Sequence, residues 1–402
     1  MKKLMILGGA RYILPIIEAA HQLGIYVITC DYLPDNIAHQ YSDQYVNVSI
    51  VEKEAVLQVA RDLEIDGIMS FACDPGVTTA AYVAEKLELP SCGTYHAVEI
   101  LQNKALFRDF LSRNGFNVPK AKGYTNCEDA LEDKDLFHWP VIVKPVDSAG
   151  SKGVTRVDHL ADLEAAAKNA IAFSKTKSFI VEDFIQQEGY SSDTDCFSIE
   201  GRLVFASFSN QHFDKNANNP YTPSAYSWPS TMPTAVQKEL RNELQRLISL
   251  LGLTTSIYNI ETRMGADGKP YIMEVSPRGG GNRLSEMLKY ASGTDLISNA
   301  VKAAVGLPME TISGDPEYKG CWAIIILHSD KAGEFVRFDI DESVKNFVVE
   351  KDLWVKPGDE VHQFTGANEA IGTLVLNCEN HNQVENCLKN VSTLFKVVVK
   401  EL

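Results

Sequence analysis

Residues Asn259–Gly281 read NIETRMGADGKPYIMEVSPRGGG, two runs of alternating apolar and polar residues joined across an Asp267-Gly268 turn signal. The runs are predicted as antiparallel strands, and a turn centred near Ala266 to Gly268 sets Glu261 roughly opposite Glu274. Ile260 and Met273 mark the apolar face, so both carboxylates point the other way. Carboxylates side by side repel unless positive charge lies between them. A divalent cation meets that need, and hard oxygen ligands select Mg2+ or Mn2+. The competing reading is an ordinary ion-pair network in which Arg263 or Arg278 neutralises the glutamates.

Upstream stands VIVKPVDSAGSKGV, Val141 to Val154, a strand followed by a loop with Ser148, Gly150, Ser151, Lys152 and Gly153. Glycines let backbone N–H groups approach phosphate oxygens, while Lys144 and Lys152 supply point charges. The loop lacks the GxxxxGK[ST] spacing of a P-loop, and a solvated surface loop is the plain alternative. SFIVEDFI then ends a strand in Glu182, Asp183, Phe184 and Ile185, either a buried strand or a hinge whose backbone meets a base edge. The long stretch from Asn210 to Thr234, rich in Asn, Pro, Ser and Tyr, reads as a substrate or lid loop, because structureless loops of that length are uncommon.

The first third alternates strands (LMIL, YVITC, GIMSF) with helical patterns, which predicts a parallel, doubly wound sheet with ligands at the strand carboxyl ends. Gly8, Gly9, Asp31 and Asp74 fall there; GGAR lacks the full GxGxxG spacing, and a tight turn explains it equally well. One helix is expected from Ala97 to Gly115, and the tail from Gly320 reads as strands with a helix around Val384 to Leu394.

With 402 residues, 45% apolar and 23% charged, the chain can bury a core and form two or three domains. A net charge of −15 argues against a nucleic-acid partner. The eight cysteines show no CxxC pair or zinc spacing and read as reduced thiols of a cytoplasmic protein. The apolar start is broken by Gly8, Gly9 and Arg11, unlike a signal peptide, and no run is long enough for a membrane span.

In this order, Lys104, VIVKP, DSAGSKGV, VEDFI, NIETR and YIMEVSPRGGG resemble the ATP-grasp superfamily, carboxylate-amine ligase type, similar to biotin carboxylase-like and L-amino acid ligase-like members. The resemblance implies a mixed α/β and α+β fold. A parallel α/β pre-ATP-grasp domain (1–96) would precede an ATP-grasp core (97–310, with a lid at about 120–185) and a small C-terminal α+β subdomain (311–402).

It also implies roles. Lys104 and Lys144 contact ATP phosphates, the loop from Asp147 to Gly153 is a mobile flap, and Glu182 with the Phe184 and Ile185 backbone holds adenine. Glu188 holds the ribose, with Asp193 or Asp195 as alternatives. Glu261 and Glu274 ligate Mg2+, Ser276 stands where many members carry a ligating Asn, and Arg278 steadies the transferred phosphoryl group. The three glycines would let the chain pass close to substrate. The implied reaction is ATP-dependent ligation of a small-molecule carboxylate to an amine or other nucleophile through an acyl-phosphate, by a homodimer without membrane partners. The rivals are a bicarbonate-using carboxylase or carbamoyl-phosphate-synthase-like enzyme acting through carboxyphosphate, and a non-catalytic ATP-binding sensor.

Overall fold

The computed structural model describes residues 1–401 except 149, 216, 218 and 313. The strands Lys3–Leu7, Tyr26–Cys30, Gln44–Val46 and Gly67–Ser70 run parallel, with Lys3–Leu7 between Tyr26–Cys30 and Gly67–Ser70 and with Gln44–Val46 at one edge. Their alternation feeds two cores. Leu4 and Ile6 pack with Ile13, Ile16 and Ile17 on one face, while Met5 and Leu7 pack with Val56, Leu57 and Val83 on the other. Helices therefore cover both faces, as the strand and helix alternation predicts.

The expected single helix from Ala97 to Gly115 is two: Tyr95–Gln102 and Lys104–Arg113. Asn103 breaks it by taking extended backbone angles (φ −110°, ψ 111°), and its side-chain oxygen accepts from the N–H groups of Ala105 and Leu106. An Asn that caps a new helix is more stable there than inside the old one. The break puts Lys104 at the first turn, where its N–H donates to the Val146 carbonyl at 2.9 Å.

Antiparallel sheets follow. One has the order Ala121–Tyr124, Phe179–Asp183, Val141–Pro145, Thr155–Val157, and the next Arg202–Ala206, Ser192–Ile199, Ser256–Met264, Pro270–Ser276. The stretch expected to be a structureless loop from Asn210 to Thr234 contains a β-hairpin, Asn210–Phe213 with Pro223–Trp228, which hydrogen-bonds on to Cys321–Leu327. Its aromatics are core: Tyr226 is 1% exposed and Trp228 0%. That sheet continues through Gly372–Cys378 to Val348–Leu353, and Glu360–Val361, Gly333–Ile340 and Phe395–Lys400 make a further small one. Helix His381–Lys389 completes the α+β tail. Among the described residues no helix is long and apolar enough to cross a membrane.

The parallel unit docks onto the helix Leu296–Ala304 at Gly67, where an added Cβ would stand 2.1 Å from the Ala304 carbonyl oxygen. Overpacking a rigid contact of this kind forces the backbone to move. Gly67→Ala is therefore expected to lower the unfolding free energy by about 1–3 kcal/mol in urea melts, and an unchanged midpoint would show that this contact yields freely.

Candidate active site

Three adjacent strands bring acidic side chains into rows. Asp193 on Ser192–Ile199, Glu261 on Ser256–Met264 and Glu274 on Pro270–Ser276 are in direct register. Two residues along, on the same face, Asp195, Asn259 and Ser276 form a second row. A β-bulge after Glu261 absorbs the extra residue Met273, which keeps the glutamates opposite one another and not one step out of phase. The Asn259 amide donates to Asp193 Oδ1 at 2.8 Å and to Asp195 Oδ1 at 3.3 Å. Burial, and then the charge of Glu261, push the Asp193 carboxyl up to about 7. Asp195 is also raised by burial, although Ser285 Oγ at 2.5 Å and the Gly280 N–H at 2.8 Å hold its oxygens.

Cations surround the rows. Lys104 Nζ lies 3.2 Å from Glu274 Oε2 and donates to the Ser148 carbonyl at 3.0 Å. Arg263 Nη2 takes Glu261 Oε1 at 2.8 Å, so part of the competing ion-pair reading is present in the structure. Behind them Glu182, 3% exposed, bridges Lys144 Nζ at 2.5 Å and Arg108 Nε at 2.9 Å. Burial raises the Glu182 carboxyl, but Arg108 and Lys144 outweigh it and hold the group at about 2. Burial lowers Lys144, an effect that the charge of Glu182 partly offsets. Arg108 also donates to the Met273 carbonyl at 2.8 Å, which ties the second helix to the bulge.

Arg278 is gripped by Asp74. Its Nη2 meets both oxygens of Asp74 at 2.7 Å and its Nε meets Oδ1 at 3.0 Å, a bidentate grip from the parallel unit. Burial lowers the arginine, yet Asp74 more than compensates and keeps it charged. The Ser276 hydroxyl, 1% exposed, donates to Asp74 at 2.9 Å and accepts from Gln102 Nε2 at 2.8 Å. The proton and one lone pair of this hydroxyl are therefore taken.

The glycine loop lies over this face. Gly150, Ser151 and Gly153 have φ of 68°, 57° and 71°, and Ala149 falls outside the described residues. A Cβ at Gly153 would press within 3.0 Å of Phe173 and Pro145. Ser151 Oγ donates to the Tyr221 carbonyl at 3.0 Å, so the loop meets the tip of the 210–228 hairpin, and Lys152 is exposed. In the hinge, Asp183 is pinned by the His138 N–H at 2.9 Å and ring nitrogen at 2.8 Å, and the Phe184 N–H is taken by the Pro140 carbonyl at 3.1 Å. Ile185 follows half-buried, and Glu188 is exposed with its N–H on the Met264 carbonyl at 2.9 Å. Asp193 and Asp195, the alternatives to Glu188, stand in the rows instead.

The glycine run also reads differently. A Cβ at Gly279 would stand 2.1 Å from Phe71, and one at Gly280 2.7 Å from Asn259 Nδ2. These two glycines admit neighbouring side chains, whereas a Cβ at Gly281 would make only ordinary contact, 3.9 Å from Ala72 and Tyr12. Asp31 is spent on its own loop, accepting from the Leu33 N–H and Asn36. Arg108 was legible in principle, since it lies one helical turn from Lys104.

Because Glu182 is held at about 2, below its ordinary 4.5, it contributes stability above pH 4.5 that is lost as the pH falls toward 2. Glu182→Gln is expected to be destabilised at neutral pH and to show a flatter acid limb than wild type in urea melts taken down to about pH 3. Parallel limbs for the two proteins would contradict this.

Residues 137–286 match the family model for the ATP-grasp domain. An L-amino acid ligase from Bacillus licheniformis superposes with a TM-score of 0.81 over 100% of this chain and 99% of that one, at 22% identity. A formate-dependent phosphoribosylglycinamide formyltransferase from Prochlorococcus marinus is 32% identical over 193 residues, 46% of this chain and 48% of that protein. The carbamoyl phosphate synthase large chain of Clostridium beijerinckii is 21% identical over 300 residues, 74% of this chain, which spans only 27% of that large chain. Sheet order, carboxylate rows and these likenesses agree: residues 137–286 match the ATP-grasp domain model, and the whole chain shares the fold of that L-amino acid ligase.

Proposed function

We propose that the protein is an ATP-dependent carboxylate-amine ligase, working through an acyl-phosphate and releasing ADP and phosphate. The observation that carries this reading is the register of Asp193, Glu261 and Glu274, with Lys104 paired to Glu274. Crowded carboxylates, one of them pushed toward neutrality, make a hard-oxygen site that suits Mg2+ or Mn2+. Glu261 and Glu274 would hold the metal beside Asp193, while Ser276 orients Asp74 and does not ligate. When bound, Mg2+ offsets the charge that develops on the transferred phosphoryl group.

The chain's own residues do the rest. Lys104 and Lys144 add positive charge along the phosphates, with Lys144 aimed by Glu182. Ser148, Gly150, Ser151, Lys152 and Gly153 fold over them and exclude water from an intermediate that water would destroy. The Ile185 N–H presents the adenine-binding edge, and Glu188 sits where a ribose would lie. Arg278, held by Asp74, would steady the transferred phosphoryl group. The units of this reading are 1–96, 97–310 with its lid at about 120–185, and 311–402, acting in the cytoplasm on small molecules as a homodimer. The free thiols of all eight cysteines support a reducing compartment.

Glu274→Ala is expected to keep its circular dichroism spectrum while Mg2+-dependent ADP release, screened over carboxylates and amines, falls at least about 100-fold. Unchanged turnover would remove Glu274 from the site. ADP release needing only bicarbonate would instead favour the carboxyphosphate reading, and ATP binding without turnover would favour a sensor.

A further inference from the structure

Two buried polar atoms near the glycine run have no hydrogen-bond partner among the described residues: the Tyr12 hydroxyl and Asn282 Oδ1. Such atoms are rare in folded proteins, because a group taken from water without a partner costs free energy. Tyr12 follows the strand Lys3–Leu7 and Ala72 follows Gly67–Ser70, so both stand at the carboxyl ends of parallel strands, where such sheets hold ligands. A Cβ at Gly281 would lie 3.9 Å from both Ala72 Cβ and Tyr12 Cδ2, which puts Tyr12 beside the residue that precedes Asn282. The Tyr12 ring is set edge-on to Trp354, with centroids 5.8 Å apart, so the tail helps to fix its direction.

The backbone around these atoms is strained. Ala72, Asn282 and Arg283 take left-handed φ of 51°, 52° and 62°, and the Ala72 N–H donates to the Gly279 carbonyl at 3.0 Å. Asn tolerates that conformation, whereas Ala and Arg keep it only where surrounding contacts hold them, and such residues gather at ligand sites. Arg283 is held by Glu286, Glu350 and the Thr373 hydroxyl.

The chemistry of the two atoms selects the ligand. Tyr226 has one hydroxyl proton, which goes to Asp193 Oδ2 at 3.1 Å, an oxygen that also accepts from Gln211 Nε2 at 3.5 Å. Tyr226 Oη therefore accepts from Asn282, at 3.2 Å, and the amide must present Nδ2 there. Oδ1 is the other end of that amide, an acceptor that a carboxylate oxygen would repel and an N–H group would satisfy. Charge agrees. Arg11, Arg283 and Glu286 act on Tyr12, and Glu350 and Asp352 act on Glu286. Three carboxylates thus meet two guanidinium groups, and Arg283 is already shared between Glu286 and Glu350. We infer that Tyr12 and Asn282 form a subsite for a primary amine, taken as its ammonium, with both oxygens accepting N–H groups. Asn282 is joined through Tyr226 to Asp193, which places the subsite two hydrogen bonds from the carboxylate rows. The assignment rests on the ligase reading in one respect, that this amine is the acceptor.

The test is calorimetric titration of the full chain at neutral pH with methylamine, glycinamide and L-alaninamide, each with and without Mg2+ and a non-hydrolysable ATP analogue. Wild type should bind at least one of the three amines. Tyr12→Phe and Asn282→Gly should each weaken that amine at least about 10-fold, the loss of one hydrogen bond to a charged group, while nucleotide affinity stays that of wild type. Tyr12→Phe removes only a hydroxyl without a partner, and glycine accepts the left-handed φ at 282, so both variants should fold. A purely structural Tyr12 would let Tyr12→Phe bind the amine as wild type does, and equal binding overturns the assignment. Absence of amine binding by wild type overturns it as well. Failure of the nucleotide to bind would instead fail the ligase reading, and the amine titrations would still decide the subsite.

Discussion

Crowding of negative charge on one sheet face governs the rest of this structure. Asp193, Glu261 and Glu274 sit on consecutive hydrogen-bonded strands in direct register, where side chains stand only about 4.5–5.5 Å apart at Cβ. Apolar packing below gives no relief, so the charge must be met from above. The fold answers with cations from separate elements, Lys104 from a helix start on Glu274 and Arg263 from the same strand on Glu261, while Lys144 from another sheet pairs with Glu182. One carboxylate, Asp193, is still driven toward neutrality. A site left short of positive charge in this way is what the proposed divalent cation would relieve.

The cations are placed by small features of the chain. Asn103 ends one helix and caps another, and thereby turns Lys104 toward Glu274. Arg108, one turn further on, is buried with its Nε on Glu182 and its Nη1 on the Met273 carbonyl. Removing either partner would leave a buried charge exposed to the low dielectric. Asp74 performs the same service for Arg278 from another unit, so the arginine's direction depends on how the parallel sheet docks.

Much of this was legible in the sequence where the signal is local. The hairpin carrying Glu261 and Glu274 could be read because a turn dipeptide and strict alternation fix register over a few residues. The parallel sheet could be read because Leu4 to Leu7 and the other buried runs repeat between helical patterns. Long-range pairing was not legible: the hairpin of Asn210–Phe213 and Pro223–Trp228 is held by Cys321–Leu327, about a hundred residues away, and its local composition is that of a loop. Asp193 and Asp195 share a strand face by their spacing of two, yet nothing local says which neighbour they meet. The hydrogen-bond partners of Ser276, Gln102 and Asp74, lie far off in the chain and could not be read locally.

The central claim, that a carboxylate is activated by phosphoryl transfer on this face, has a direct chemical signature. With the carboxylate substrate that supports ADP release labelled with oxygen-18, ligation through an acyl-phosphate must carry one labelled oxygen into the released inorganic phosphate. Labelled phosphate, appearing in step with ADP, is the predicted result. Unlabelled phosphate during amide formation would contradict the account.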